Sequence, residues 1–252
     1  MGLNLESGKY PAGELYIVLP KSVPKHATVA MDIGEDPADL FRAVVMADGL
    51  RLHGAKRVTL LAPWIAYGRQ DRIDAQGHAA AGLAVARALS KAFDRIVTLD
   101  AHSKLFRDAF GRKLENIQPK PLKSDLPFAP DLVVAPDAGA ATRASFQARR
   151  FGVPYLVLKK VREGQKVRVT MADKMSLKDS KILLVDDMVD SGGTLTAAAD
   201  VLRKAGAKRI AALVSHSLQK KPSKLSGVDA LVVAYDHPAR KMAKWVRIAY
   251  SV

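Results

Sequence analysis

A chain of 252 residues is long enough for one large domain or for two of roughly 120 residues, each burying its own core. Its 48% hydrophobic and 26% charged content is ordinary for a globular protein; an apolar run long enough to span a membrane is lacking, and without cysteine there is neither a disulfide nor a thiolate metal site, so oxygen and imidazole are the available metal ligands. Lys and Arg number 40 against 25 Asp and Glu, a net charge of +15 that is densest after Val201, where eleven cations face only Asp229 and Asp236.

Such a surface attracts nucleotides, sugar phosphates or nucleic acid, or serves as a solvated, solubilising face. With only two Trp and no aromatic residues interleaved with the basic ones, a nucleic-acid partner is not expected. The first ten residues lack the basic start, apolar middle and small-residue cleavage site of a secretory signal, so a cytoplasmic protein with no membrane partner is expected.

In chain order, short β-rich apolar runs at 15–19, 57–62, 95–99, 132–135, 155–158, 182–185, 210–214 and 230–234 predict buried strands. Amphipathic stretches at 38–53, 79–93, 138–151 and 193–205 predict helices. Strand and helix alternate, which predicts an α/β protein with largely parallel sheets flanked by helices. The pattern runs through once before about Gln118 and again from Lys120, with Pro119 and Pro121 as the seam. We therefore expect two tandem α/β domains, 1–119 and 120–252. Neither a low-complexity tract nor a solenoid period interrupts them.

The densest chemistry follows the run at 182–185, where Asp186-Asp187-Met188-Val189-Asp190-Ser191-Gly192-Gly193-Thr194 leads into an Ala-rich helix. Gly192 and Gly193 allow a tight turn in which backbone N–H groups, the Ser191 and Thr194 hydroxyls and the helix dipole converge on a phosphate. Asp186 and Asp187 supply acceptors for vicinal ribose hydroxyls at the carboxyl end of a strand, where open α/β sheets bind ligands, and Asp190 is a further candidate on the sugar side of the loop. A plain helix cap needs one such residue, whereas this loop carries three acids, two hydroxyls and two glycines. No Walker A motif competes, because the residues after Gly2 have the wrong spacing.

The loop resembles the phosphoribosyl diphosphate (PRPP) loop of type I phosphoribosyltransferases and PRPP synthetases, the ribose-phosphate pyrophosphokinases. Three further segments resemble the synthetases in particular. Pro63-Trp64-Ile65-Ala66-Tyr67-Gly68-Arg69-Gln70-Asp71-Arg72 is similar to the family's Pro-Tyr-x-x-Tyr-Ala-Arg-Gln-Asp-Arg, a segment that phosphoribosyltransferases lack and that the synthetases use for ATP. Arg69 can neutralise phosphate charge, while Gln70 and Asp71 can bond a base or hold an Arg in place. Asp100-Ala101-His102-Ser103 resembles the family's Asp-Leu-His, which implies that His102 lies near the nucleotide phosphates and the metal. Ala135-Pro136-Asp137-Ala138-Gly139-Ala140-Ala141-Thr142-Arg143-Ala144 resembles Ser-Pro-Asp-x-Gly-Gly-x-x-Arg-Ala. The resemblance makes Asp137, Ala138 and Gly139 the diphosphate loop and Asp137 a residue that helps place Mg²⁺, a hard cation that takes oxygen ligands.

Downstream, Leu158-Lys159-Lys160-Val161-Arg162 resembles the start of the family's catalytic flexible loop, which implies that Lys160 and Arg162 stabilise the transferring group. Tyr10-Pro11-Ala12-Gly13-Glu14 lines up with Phe-x-Asp-Gly-Glu, the family's adenine contact from a neighbouring subunit. Tyr10 and Glu14 are thus further ATP candidates, a homo-oligomer of at least two copies is implied, and Ala12 replaces the family's Asp. Near the other end Asp236-His237-Pro238 stands for Thr-Ile-Pro, and the chain is shorter than typical members at both ends.

Together these expectations describe two phosphoribosyltransferase-like domains, an ATP side at 1–119 and a ribose 5-phosphate side at 120–252. The implied reaction is Mg²⁺-dependent diphosphoryl transfer from ATP to the anomeric hydroxyl of ribose 5-phosphate, giving PRPP and AMP. The alternatives are a phosphoribosyltransferase that consumes PRPP, against which the segment from Arg69 to Arg72 speaks, and a noncatalytic synthetase-associated subunit, against which His102, Lys160 and Arg162 speak.

Overall fold

A computed structural model describes residues 6–73, 76–163, 166–171, 176–219, 224–235 and 246–248. Its contacts divide the chain into two compact units, Met1–Ile117 and Gln118–Val252. The first opens with an antiparallel hairpin of β1 (Glu6–Lys9) and β2 (Leu15–Val18). A parallel sheet follows in the order β3 (His26–Ala30), β4 (Arg57–Leu61), β5 (Arg95–Leu99) and β6 (Leu114–Ile117). Helices α1 (Pro37–Leu52), α2 (Ala81–Ala92) and the short α3 (Lys104–Asp108) connect them.

In β3 and β4, residues alternate between core and surface: Ala27, Val29, Val58 and Leu60 are buried, and they pack in one cluster with Ala43, Leu50, Val85 and Leu89 of α1 and α2. Period-two alternation is what a strand shows when helices cover one of its faces. Helix α1 begins where Asp36 caps it, its carboxylate accepting from Ala38 N at 2.9 Å, and Pro37 takes the first turn, where a missing N–H costs nothing.

The second unit is a six-stranded parallel sheet built from β7 (Leu132–Ala135), β8 (Tyr155–Val157), β11 (Lys181–Val189), β12 (Arg209–Ser217), β13 (Ala230–Val233) and β14 (Val246–Ile248). Their spatial order is β14-β13-β12-β11-β7-β8. Between β8 and β11 stands an antiparallel hairpin of β9 (Lys159–Glu163) and β10 (Lys166–Thr170). Here both faces are covered. Ile182 and Leu184 join Leu195, Ala198 and Leu202 of α5 (Gly193–Lys204), while Leu183 and Val185 join Ala144 and Ala148 of α4 (Ala141–Phe151). Burial on two faces explains why β7 and the start of β11 read as unbroken apolar runs.

Several expected boundaries shift for physical reasons. Strand β11 runs four residues past Val185, to Val189, because its backbone keeps pairing with β12 from Asp186↔Val214 to Val189↔Ser217. Among the described residues the run at 15–19, expected as a buried strand, pairs only with β1, and it leaves Val18 exposed. The stretch at 138–151 starts with a 3₁₀ turn, Ala138–Ala140, before α4. Strands β3 and β6 were not expected, since β3 is Ala-rich and β6 alternates polar and apolar residues at a sheet edge. The turn at 236–238 lies outside the described residues.

Candidate active site

The first unit gathers two of the quoted segments. The segment after β4 curls through Tyr67, a non-glycine residue at φ +66°, and Gln70 N donates back to Tyr67 O at 2.8 Å. Gly82, at the start of α2, donates to Gln70 O at 2.9 Å, and a Cβ on Gly82 would sit 2.5 Å from Tyr67 O, so the loop rests on a residue that must lack a side chain. The segment after β5 turns through Asp100, likewise at positive φ (+46°), with Asp100 N donating to Ile117 O at 2.8 Å and Ala101 N to Asn116 Oδ1 at 2.6 Å. Two left-handed non-glycine residues beside the quoted motifs are the kind of backbone strain that clusters at functional sites.

Asp71 joins these segments. Its carboxylate is almost fully buried, at 3% exposure, accepts Arg72 Nε at 2.9 Å, and accepts the Ser103 hydroxyl. Ser103 also caps α3, accepting from Phe106 N at 3.0 Å. Burial pushes the Asp71 carboxyl up, but the hydrogen bonds from Arg72 and Ser103 and the charges of Arg72 and His102 outweigh it and hold the group below the ordinary carboxylate value. Of the two uses open to it, base recognition or holding an Arg, this carboxylate is engaged in the second. Arg69 and Gln70 are exposed, and His102 is half-buried beside Gly68, where a Cβ would lie 3.3 Å from His102 Cβ. Tyr10 and Glu14 close the β1–β2 turn, Tyr10 N donating to Glu14 O at 2.8 Å; both side chains are exposed, and Tyr10 packs its ring 5.1 Å from that of Tyr16.

The second unit assembles the phosphate loop. Asp186 and Asp187 lie inside β11 rather than after it, and Asp187 N donates to Asp186 Oδ1 at 2.9 Å. Burial, then the neighbouring Asp187 charge, with Asp137 contributing, raises the Asp186 carboxyl well above its ordinary value. Asp187 is itself buried and faces Arg143, whose Nη2 lies 3.9 Å from Asp187 Oδ2 while its Nη1 donates to Gly139 O at 3.1 Å. Arg143 thereby ties the turn carrying Asp137, Ala138 and Gly139 to β11. Asp137 caps that turn by accepting from Gly139 N at 2.9 Å. Sequence reasoning quoted Arg143 and Ser103 within motifs but gave neither a role; one is a buried cation and the other a helix cap, and neither fact is legible before the fold is known.

Asp190 and Ser191 are exposed, and Gly192 turns the chain at φ +80° into α5. A Cβ on Gly192 would run into Leu225 Cδ2, so both space and dihedral require glycine. The Ser191 hydroxyl accepts weakly from Gly193 N at 3.5 Å, and Thr194 stands half-buried in the first turn of the helix. The cap residue has no side chain to cover those first amides, which leaves the positive end of α5 facing the loop. For Lys160 and Arg162 the backbone lies in β9, and their side chains lie outside the described residues.

Comparison with known proteins matches two family models along the chain. Residues 3–92 match the family model described as the N-terminal domain of ribose phosphate pyrophosphokinase, and residues 107–249 match the phosphoribosyl transferase domain. Among curated relatives, the ribose-phosphate pyrophosphokinase of Thermococcus kodakarensis is 30% identical over 86% of this chain and 78% of its own length. That of Ralstonia nicotianae is 31% identical over 83% of this chain and 69% of its own, and that of Pyrococcus furiosus 29% identical over 85% and 78%. Among solved structures, the phosphoribosylpyrophosphate synthetase of Mycobacterium smegmatis superposes with a TM-score of 0.79 at 24% identity, covering 99% of this chain and 86% of that one, a likeness of fold.

Proposed function

The chain belongs to the ribose-phosphate pyrophosphokinase family, and we propose that it transfers the β,γ-diphosphoryl group of ATP to ribose 5-phosphate. The anomeric hydroxyl oxygen attacks the β-phosphorus, the bond from that phosphorus to the α,β-bridging oxygen breaks, and AMP leaves with the electron pair. The hydroxyl proton passes to solvent or to a nearby base. The observation that carries the reading is the Asp71 and Ser103 contact, which binds the segment at Arg69–Arg72 to that at His102. By the resemblance, the first of these segments belongs to the synthetases and is lacking in phosphoribosyltransferases.

In this reading Asp186, Asp187 and Asp190 accept the ribose hydroxyls, and Ser191, Gly192, Gly193 and Thr194 hold the 5-phosphate at the amino end of α5. Arg69, Gln70 and His102 bind the nucleotide, with Tyr10 and Glu14 as adenine contacts. Lys160 and Arg162 neutralise charge on the group in flight. Arg143 and Asp71 act as positioning residues.

The donor set fits Mg²⁺. Among the described residues no three His, Cys, Asp or Glu side chains form a metal-holding cluster, and Mg²⁺ commonly takes one or two carboxylates with the remaining ligands from phosphates and water. Asp137 is the proposed carboxylate, in the same unit as Asp186, whose carboxyl is raised by burial first and then by the Asp187 charge, with Asp137 contributing. When bound, Mg²⁺ would neutralise the polyphosphate and its leaving oxygen. We further propose a cytoplasmic homo-oligomer of at least two copies, testable by sedimentation.

The direct test incubates the protein with Mg²⁺, ATP and ribose 5-phosphate. AMP and PRPP formed in equal amounts are the expected result. Release of pyrophosphate from PRPP with an added nucleobase, and no AMP from ATP, would instead identify a phosphoribosyltransferase.

A further inference from the structure

The amino edge of the second sheet carries a concentration of positive charge that the proposed reaction does not use. Lys181 opens β11 and Arg209 opens β12, and the two are register partners. The segments leading into them are zipped together: Leu177 N donates to Ala205 O at 2.8 Å, Asp179 N to Gly206 O at 3.1 Å, and Lys208 N to Ser180 O at 2.9 Å. Gly206 turns at φ +102°, and a Cβ there would lie 3.1 Å from Lys178 Cα, so the two turns are in contact. Arg203 fastens the segment that enters β13 to the same place, donating through Nε to Gly227 O at 3.1 Å and through Nη1 to Lys208 O at 2.7 Å. Six exposed cations thereby gather at one edge: Lys178, Lys181, Lys204, Lys208, Arg209 and Lys224. Strand β11 has nine residues, so at about 3.3 Å per residue this edge lies roughly 25 Å from the phosphate loop beyond its other end.

Little there neutralises these charges. Arg203 and Asp229 pair with each other. Asp131 accepts from Lys181 N at 2.9 Å and Asp179 is exposed, which sets the six cations against two carboxylates. Among the described residues none of the six forms an ion pair. Lys204 has a local reason for its place, since a cation suits the last turn of α5. Lys181 and Arg209 have none of that kind: like charges on register partners repel, and the sheet is less stable for carrying them side by side. The Arg209 guanidinium lies over the Phe128 ring at 4.6 Å, which holds it in place. Lys178 and Lys181 meet four of the cations that follow Val201 only because β11 and β12 pair.

We propose that this edge is a docking surface for the phosphate backbone of a double-helical nucleic acid. The lack of aromatic residues among the basic ones argues against a stacked single strand, but a double helix presents its phosphates outward and needs no ring to hold it. Among the described residues no exposed large apolar side chain lies in the connections at 177–181, 203–209 or 224–229. A protein partner would call for an apolar centre and few lysines, and a membrane surface for apolar side chains to insert. Five lysines and an arginine without either are the composition that neutralises a polyphosphate backbone, independent of its base sequence.

The test is fluorescence anisotropy of the full chain with short labelled DNA and RNA duplexes of one sequence, over a series of chloride concentrations and without Mg²⁺ or nucleotide. The native chain is expected to bind at least one duplex more tightly than a single strand of the same length, poly-glutamate or phosphatidylserine vesicles. Lys178→Gln/Lys181→Gln/Lys208→Gln should weaken that binding at least about tenfold near 0.1 M salt and reduce the slope of log affinity against log salt by about 2–3, since each lost phosphate contact removes about 0.9. Lys21→Gln/Lys91→Gln/Lys123→Gln removes the same net charge from exposed sites elsewhere and should change affinity less than about twofold. All six replaced side chains are exposed, and circular dichroism melting checks that both variants fold. If the first melts early, Lys178→Gln/Lys208→Gln, which leaves the strands unaltered, takes its place. Equal weakening in the two triple variants would overturn the proposal and leave only diffuse attraction by a chain of net charge +15. So would the absence of duplex binding by the native chain, or tighter binding of the single strand, poly-glutamate or vesicles than of either duplex. A proposed function that failed would leave this result intact, because the titration contains no ATP and reads no turnover.

Discussion

The hydroxyl of Ser103 donates to the buried carboxylate of Asp71, across 32 residues of sequence. Through that bond the helix cap that follows β5 holds the charged loop that follows the neighbouring β4. The Arg72 guanidinium, itself largely exposed, is steered by the same carboxylate.

Replacement of Ser103 by Ala removes both the cap of α3 and a donor to a buried charge. Caps are worth about 1 kcal/mol, and a buried acceptor left short of a partner costs about 1–3 kcal/mol. We expect Ser103→Ala to lower unfolding stability by roughly 2 kcal/mol in urea titrations. In the activity assay its KM for ATP should rise more than its KM for ribose 5-phosphate. Thr at this position should restore most of both, since it supplies the same hydroxyl.

The same contact predicts an acid response. Asp71 ionises below the ordinary carboxylate value, because Arg72 and Ser103 outweigh its burial. A carboxylate depressed on folding contributes stability that is present above its unfolded value and is lost as pH falls through the folded one. Melting temperatures of the native chain should therefore drop below about pH 4, and more steeply than those of Asp71→Asn, which has no proton to gain there. Parallel curves for the two proteins would show that Asp71 is not a contributor.

Asp186 carries the opposite sign. Burial and the adjacent Asp187 raise it, so its contribution to stability is complete below the unfolded carboxylate value and fades as pH rises through the raised folded one. Asp186→Asn cannot ionise, and its stability relative to the native chain should grow as pH rises above the ordinary carboxylate value of about 4. Without ligand the variant should be the more stable protein at neutral pH, by about 1 kcal/mol, while binding ribose 5-phosphate more weakly, the usual conflict between a site and its scaffold. Thermal melts across that range, with and without ribose 5-phosphate, measure both effects.

The reach of sequence reading can be judged from these residues. Apolar runs disclosed the cores of β4, β5, β7 and β13 because burial there is continuous or cleanly alternating. It stopped short at Asp186, since a carboxylate looks like the end of a strand, whereas parallel pairing is a backbone matter and carries β11 on to Val189. The polar end of β12, Ser215-His216-Ser217, was passed over for the same reason, although all three side chains are buried. Local signals, Gly192 and the acids around it, marked the phosphate loop. What they could not convey is which charges are spent on one another, as with Asp187 on Arg143 and Asp71 on Ser103, because those partners are brought together only by the fold.

Gly192 offers a sharp test of the loop. Ala there must adopt φ near +80° and push Leu225 aside. A left-handed non-glycine residue costs about 1–3 kcal/mol where the surroundings enforce it. Gly192→Ala is expected to lose that much stability and to bind ribose 5-phosphate at least about tenfold more weakly. Gly193→Ala, with only Ser191 Oγ at 3.7 Å from its Cβ, should leave stability nearly unchanged. Equal losses in the two variants, by melting and by titration, would mean that the loop yields easily and that the dihedral at Gly192 is not what shapes it.

The last expectation concerns the residues of β9. Lys160→Ala and Arg162→Ala should each lower kcat by about 10² or more while changing KM for either substrate much less. The argument is electrostatic: negative charge on the diphosphoryl group redistributes as the bond to the leaving oxygen breaks, and a cation engaged with that charge chiefly in the transition state stabilises it selectively. Lys160 and Arg162 match the spacing of the resemblance, and Lys159 stands one position away from it. Lys159→Ala is thus the internal control, with the same charge lost one position away. In steady-state assays it should retain nearly full kcat. If it were as damaging as Lys160→Ala, or if both matched variants raised KM and left kcat intact, the two cations would be general attractors of anionic substrate, and their proposed part in the chemical step would be wrong.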